Sequence, residues 1–260
     1  MTFSPKMVAL DIDGTLVDPQ SRMPKEIHAA VRRYVDQGTP VVLSTGRSWV
    51  ATEPIFNLLD LPAGWAVSSN GAIVVTNPPL AVRHETVFDP RDSIEKVSKH
   101  IPKARLCVER GMERFASAEF PDGELQGEVH IVSLEELASR PVSRLIIREP
   151  DSEDGEVFTD LIADLGLHEV AYFVGWSAWL DIAPVGVDKA HGLAFVCEDL
   201  GIDPADVLAI GDGHNDIEML EWAGRGVAMG DAPEAVKAAA DHVTGNFADL
   251  GTVEELNRWL

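Results

Sequence analysis

Met7-Val8-Ala9-Leu10-Asp11-Ile12-Asp13-Gly14-Thr15-Leu16 runs from four consecutive apolar residues into two carboxylates and a glycine. An apolar run with no polar alternation reads as a strand covered on both faces, which is the condition of a parallel sheet in an α/β protein. Alternate residues of a strand point the same way, so Asp11 and Asp13 are expected to meet at the strand's end. Like charges that close are costly unless a cation or a shared proton relieves them, and the pair reads as a Mg²⁺ site or an acid/base pair. A helix cap or an Asx turn would use the same residue types. Gly14 lets the chain turn sharply away.

Working outward, residues 24–37 place Ile27, Val31, Tyr34 and Val35 on one helical face, with Gly38 as a natural C-terminal stop. Strand 40–44, helix 48–59 and strand 65–68 follow. The alternation returns late, with helices at 188–199, 216–223 and 233–240, strands at 207–210 and 227–229, and a last helix near 252–259. Such alternation marks a parallel α/β sheet. Between the two ends the texture changes. Residues 82–87, 105–108 and 145–147 read as strands, a helix follows Asp89, and another follows the acidic stretch 151–156. Residues 170–174 and 179–182 read as a hairpin around Gly175. The expected organisation is a doubly wound, Rossmann-like core from residues 1–81 and 184–260, with an α+β domain inserted at 82–183. Pro78-Pro79 and residues 184–186 are the expected hinges.

A length of 260 residues suits one large domain or two modest ones, and 45% hydrophobic with 25% charged residues is ordinary globular usage. The 21 basic against 43 acidic residues give a formal net charge of −22. That excludes the basic footprint a nucleic-acid binder needs, and an anionic membrane would repel it. A phosphorylated substrate then requires a local reversal of the field. Cys107 and Cys197 lack the spacing of a zinc or redox pair and read as buried free thiols. No apolar run approaches the roughly 18 residues of a membrane helix, and the first residues do not read as a signal peptide. A cytoplasmic protein is expected, as a monomer or weak homodimer, with neither nucleic acid nor membrane as partner.

Three further stretches lie at strand ends or helix starts. Gly211-Asp212-Gly213-His214-Asn215-Asp216 follows an apolar strand and opens a helix, and ligands of open α/β sheets collect outside the carboxyl ends of strands. Asp212 is the expected direct metal ligand. Asn215 and Asp216 read as outer groups, with a helix N-cap as the alternative for Asn215. Leu43-Ser44-Thr45-Gly46-Arg47 offers a hydroxyl, backbone donors and a guanidinium suited to phosphate oxygens. Lys189 supplies a point charge at a helix start, although most lysines so placed are surface residues. Trp176 and Trp179 read as packing residues before stacking ones. His84, His130 and His168 lack metal-ligand spacing.

Together these pieces resemble the haloacid dehalogenase superfamily of aspartyl-nucleophile phosphatases, in the Cof-type branch with a large inserted cap. The resemblance spans nearly the whole chain. It is carried by Asp11-x-Asp13-Gly14-Thr15-Leu16 and by Gly211-Asp212-Gly213-x-Asn215-Asp216-x-x-Met219-Leu220, with Ser69-Asn70-Gly71-Ala72 similar to a segment of that branch. Asp231 departs from the asparagine frequent in relatives. The resemblance implies that Asp11 attacks phosphorus to form a phosphoaspartate, and that Asp13 acts as general acid and base. It also implies Mg²⁺ at Asp11, Asp212 and the backbone carbonyl of Asp13. Thr45, Gly46, Lys189 and Asn215 would bind the phosphoryl group, Asp216 and Asn70 would support them, and Arg47 would bind substrate or brace the cap. The implied substrate is a small phosphorylated metabolite, sugar phosphates first. A phosphomutase of the same architecture is the rival within the enzymes, and a receiver-like or otherwise non-catalytic phosphate-binding protein the rival outside them. Asp13 and the insertion speak against a receiver.

Overall fold

The structure is a computed structural model that describes residues 3–121, 123–151, 158, 170–174 (backbone) and 178–260. Residues 152–156 of the acidic stretch, the helix expected after them, His168, Gly175 and Trp176 lie outside the described residues. The chain divides into two compact units, Met1–His84 with Asp188–Leu260, and Glu85–Val187.

In the first unit β1 (Met7–Leu10) is buried at every residue, as its uninterrupted apolar sequence requires. It is followed by α1 (Lys25–Asp36), β2 (Val41–Ser44), α2 (Trp49–Leu58), β3 (Gly64–Ser68), β4 (Ile73–Asn77) and β5 (Ala81–Glu85). Helix α1 buries Ile27, Ala30, Val31 and Tyr34, the i, i+3, i+4, i+7 stripe of an amphipathic helix. Gly38 stops it at φ +79°. The Tyr34 hydroxyl donates to the Leu256 carbonyl at 2.8 Å.

The second unit contains α3 (Arg91–His100), β6 (Arg105–Arg110), β7 (Glu113–Ala116), β8 (His130–Ile131), α4 (Leu134–Leu137), β9 (Arg144–Arg148), β10 (Val170–Val174) and β11 (Trp179–Pro184). Its sheet runs β10-β11-β9-β6-β7-β8. Leu106, Val108, Leu145, Ile147, Leu180 and Ile182 pack on one face with Ile94, Val97 and Phe158. On the other, Arg144 is buried in a bidentate pair with Asp181 (3.1 and 2.7 Å) and lies 3.4 Å from Glu109. Trp179 is a packing residue, edge-on to Phe120 with its indole N–H donated to Asp181 at 2.9 Å.

The chain then returns to the first unit through α5 (Lys189–Leu200), β12 (Val207–Gly211), α6 (Ile217–Trp222), β13 (Arg225–Ala228), α7 (Glu234–Ala239), β14 (His242–Val243) and α8 (Gly251–Asn257). The sheet order is β14-β13-β12-β1-β2-β3-β4-β5, parallel from β14 through β3 and antiparallel between β3 and β4. Val8 pairs with Leu208 on one side and Val41 on the other. Strand order therefore reverses at β1, and the loops after β1, β2 and β12 open on the same edge, where doubly wound sheets hold ligands.

Two expectations differ from the structure. Residues 82–85, expected to begin the insertion, form most of β5 at the edge of the first sheet. Pro78-Pro79 is not a hinge between units but the turn joining β4 to β5, since proline rigidifies a hairpin connection as readily as a linker. Cys107 and Cys197 are free and buried, and burial pushes their thiols up to about 12 and about 11. Among the described residues no helix is long and apolar enough to cross a membrane.

Candidate active site

Strand β1 ends at Leu10, and the next residue is turned inward: Asp11 is 5% exposed, with its N–H on the Ile210 carbonyl at 3.0 Å. Its Oδ1 accepts from Lys189 Nζ at 2.6 Å, and the same ammonium reaches Asp216 Oδ1 at 2.5 Å. Lys189 is fully buried, not the surface residue its composition alone suggests. Asp188 caps α5 by accepting the His191 N–H at 2.8 Å, which fixes the start of the helix and so the root of Lys189.

The first turn of α5 also needs Gly71. A Cβ there would overlap the Asp188 carbonyl, and its φ is +94°, a region side-chain-bearing residues avoid. Gly71→Ala is expected to cost about 3 kcal/mol from strain and overlap together. It should also lower catalysis more than the stability loss explains, because Lys189 moves with its helix. Urea titration and turnover at a temperature where the variant is folded check both, and a fully active variant would contradict the packing argument.

Asp212 follows β12. Gly14 (φ +78°) brings the first loop so close to Asp212 that a Cβ would overlap its carboxylate. Thr15 Oγ1 lies 3.5 Å from Asp212 Oδ1. Asp216 closes the loop from below, its Oδ2 accepting the N–H groups of Asp212 (2.9 Å) and Gly213 (2.8 Å). Carboxylate oxygens of Asp11, Asp212 and Asp216 fall within 4.8 Å of one another. Three carboxylates around one ammonium leave an excess of negative charge. Burial and the neighbouring carboxylates raise Asp11 well above the usual range against the opposing pull of Lys189, and burial followed by Asp216 pushes Asp212 up to about 7.

Asp13 does not join this group by its side chain. Its carboxylate is more than half exposed and is gripped by Arg47, with Nε to Oδ2 at 2.8 Å and Nη2 to Oδ1 at 2.5 Å. The strand-alternation argument places both aspartates on one side, but the strand ends before Asp11, and Gly14 N–H to the Val17 carbonyl (2.9 Å) begins a turn that separates them.

The loop after β2 is stitched to the loop after β3. Thr45 N–H donates to Val67, Ser69 N–H to the Arg47 carbonyl and Asn70 N–H to the Thr45 carbonyl, at 2.8 to 3.0 Å. Thr45 Oγ1 accepts the Arg47 N–H at 3.1 Å, so its own proton is available to a ligand. Asn70 stands at φ +51° and accepts from Asn215 Nδ2 at 2.9 Å, a side-chain bond that Gly46 makes room for. Sequence reasoning overlooks Asp188, Thr15 and Thr252. Thr252 holds the loop after β1 by donating to the Thr15 carbonyl at 2.6 Å. An aspartate directly before the helix is the available N-cap signal for Asp188; nothing local marks Thr252.

The family model for haloacid dehalogenase-like hydrolases matches residues 8–256. A 5-amino-6-(5-phospho-D-ribitylamino)uracil phosphatase of Bacillus subtilis is 26% identical over 98% of this chain and 96% of its own. A phosphoglycolate phosphatase of Natronomonas pharaonis is 31% identical over 96% of each. The solved structure of a haloacid dehalogenase-like hydrolase from Bacteroides thetaiotaomicron superposes with a TM-score of 0.80 at 25% identity, over 98% of this chain and all of that one. With the motif residues at the switch point of a doubly wound sheet, the chain belongs to the haloacid dehalogenase-like hydrolases, in their Cof-type branch, and is a phosphatase of that family.

Proposed function

We propose that the protein hydrolyses a small phosphate monoester, sugar phosphates first, through a phosphoaspartate on Asp11 with Mg²⁺ as cofactor. The observation that carries this is the buried Asp11 carboxylate, held by Lys189 at the end of the central strand beside two further carboxylates. The names of two relatives, phosphatases for phosphoglycolate and for a phosphoribityl compound, support a small monoester.

The donor set fits Mg²⁺: it is all oxygen, and its charge is under-compensated by one lysine. Both oxygens of Asp216 are already used by Lys189 and two backbone N–H groups. That leaves Asp11 and Asp212 as the carboxylate ligands, to which the family resemblance adds the Asp13 carbonyl, with Asp216 orienting Lys189 and the loop. When bound, the cation supplies the neutralisation that lets a phosphoryl group approach the carboxylates.

The chain's own residues do the rest. Lys189 spends two N–H bonds on Asp11 and Asp216 and keeps a third for a phosphoryl oxygen. The Thr45 hydroxyl, the Gly46 backbone and the second N–H of Asn215 Nδ2 complete the cradle. Asp11 attacks phosphorus, the bond to the leaving oxygen breaks, and Asp13 gives that oxygen a proton. Water then attacks the phosphoaspartate, its proton passes to Asp13, and inorganic phosphate leaves with Asp11 regenerated.

The test is phosphate release from sugar phosphates, phosphoglycolate, pyridoxal phosphate and nucleotides, with Mg²⁺ or with chelator. Selective release that falls at least about 100-fold in chelator, with an unchanged circular dichroism spectrum, is the expected result. Release that persists in chelator overturns the metal assignment; no release of phosphate, with an isomerised sugar phosphate instead, makes the protein a mutase.

A further inference from the structure

Arg47 is fixed at its backbone and at its tip. Its N–H donates to Thr45 Oγ1 at 3.1 Å and its carbonyl accepts from Ser69 at 2.8 Å, so its Cα is pinned between two loops. From there Nε and Nη2 close a two-pronged bond on both oxygens of Asp13, at 2.8 and 2.5 Å. Nη1 donates to the Ala51 carbonyl at 3.3 Å and Nη2 also to the Ser21 hydroxyl at 3.1 Å. The guanidinium is largely covered, whereas the Asp13 carboxylate is 57% exposed.

Packing cannot select the rotamer of so exposed a carboxylate. A planar guanidinium can, because two parallel bonds fix the plane of the carboxylate as well as its position. The grip uses one direction on each oxygen and leaves the others open to accept a proton. We propose that Arg47 is a positioning residue, which aims the Asp13 carboxylate for the second half of the reaction: water oxygen bonds to phosphorus, the water proton passes to Asp13, and the bond from phosphorus to Asp11 breaks. This rests on the phosphoaspartate reading above. In it the guanidinium serves Asp13 and not the phosphoryl group.

The consequence is a split between kinetic constants. Formation of the phosphoenzyme from an activated ester needs little help to the leaving group, while its hydrolysis needs a well-aimed base. With p-nitrophenyl phosphate, Arg47→Met is expected to lower kcat about 100-fold, the cost of misplacing a catalytic group by about 1 Å, and to leave kcat/KM within a few-fold. Stopped-flow mixing should then show a burst of about one p-nitrophenolate per active site, with hydroxylamine-sensitive phosphate on the protein. Arg47→Lys keeps the charge but not the two-pronged grip and is expected to follow Arg47→Met. Asp13→Asn should give the same burst, and adding Arg47→Met to it should slow kcat no further.

A fall of kcat/KM as large as that of kcat, without a burst, would make Arg47 a phosphoryl ligand and overturn the proposal. So would full recovery in Arg47→Lys, or multiplied losses in the double variant. A wild-type protein that turns over no phosphate ester removes the phosphatase reading itself, an outcome distinct from an active wild type whose variants show no burst.

Discussion

Asp11→Asn is expected to lose phosphate release by a factor on the order of 10³ or more while remaining folded, and to keep its melting temperature or raise it. The loss follows from the chemistry assigned to the residue: an amide cannot form the acyl phosphate, and removing the nucleophile of a covalent mechanism removes the pathway, not one contribution to it. Retention of the fold follows from the surroundings. Lys189 keeps Asp216 as a partner at 2.5 Å, so no buried cation is stranded. Asparagine has the same shape and can still accept from Nζ through its oxygen. One of three crowded carboxylates becomes neutral, which relieves repulsion within the cluster. Phosphate release measured with a matched thermal melt checks both halves. Activity above about a tenth of wild type would remove Asp11 from the nucleophile's place, because covalent catalysis leaves no such residue of rate.

The same surroundings show what the sequence can and cannot reveal. Asp11 and Asp212 are legible because each follows an apolar run that has to be a buried strand, and a carboxylate directly after such a strand has few structural excuses. The core alternation is legible for the same reason, since burial on both faces imposes long apolar runs. Strands at the sheet's edge are legible only in part. β5 reads as a strand at 82–87, but its half-polar residues do not tell which sheet it joins; β14 is two residues long and carries no periodic signal, and β4 is hidden by the Asn-Gly segment whose resemblance draws the eye. Lys189 marks the limit for the site. Its burial comes from the approach of Gly71 and Gly192 in space, 121 positions apart in the chain, and no local pattern encodes it. The Asp13–Arg47 grip is likewise a product of loop geometry, because both residues are visible in the sequence but their pairing is not.

Lys189→Met should be the most damaging single change, lowering stability by about 3–5 kcal/mol together with activity, because it strands buried carboxylates instead of relieving them. Lys189 is fully buried, and its two ion pairs at 2.6 and 2.5 Å are the described positive charge nearest Asp11 and Asp216. Burial opposes the charge on this ammonium, but the charges and hydrogen bonds of Asp11 and Asp216 together outweigh it and hold it above the usual lysine range, so it is a cation in the folded protein. Methionine fills a similar volume, which keeps the cavity cost small and isolates the electrostatic one. The decisive comparison is with Lys189→Met/Asp216→Asn. If the damage is stranded charge, neutralising Asp216 should return part of the lost stability, although Asp216→Asn alone, which forfeits one bond to Lys189 and weakens acceptance from Asp212 and Gly213, is itself destabilising. If instead the loss is one of packing, the two changes should add. Chemical denaturation of the four proteins measures the coupling, and phosphate release should stay low in every variant that lacks Lys189, since no substitution at 216 restores the ammonium that the proposed mechanism gives to the phosphoryl group.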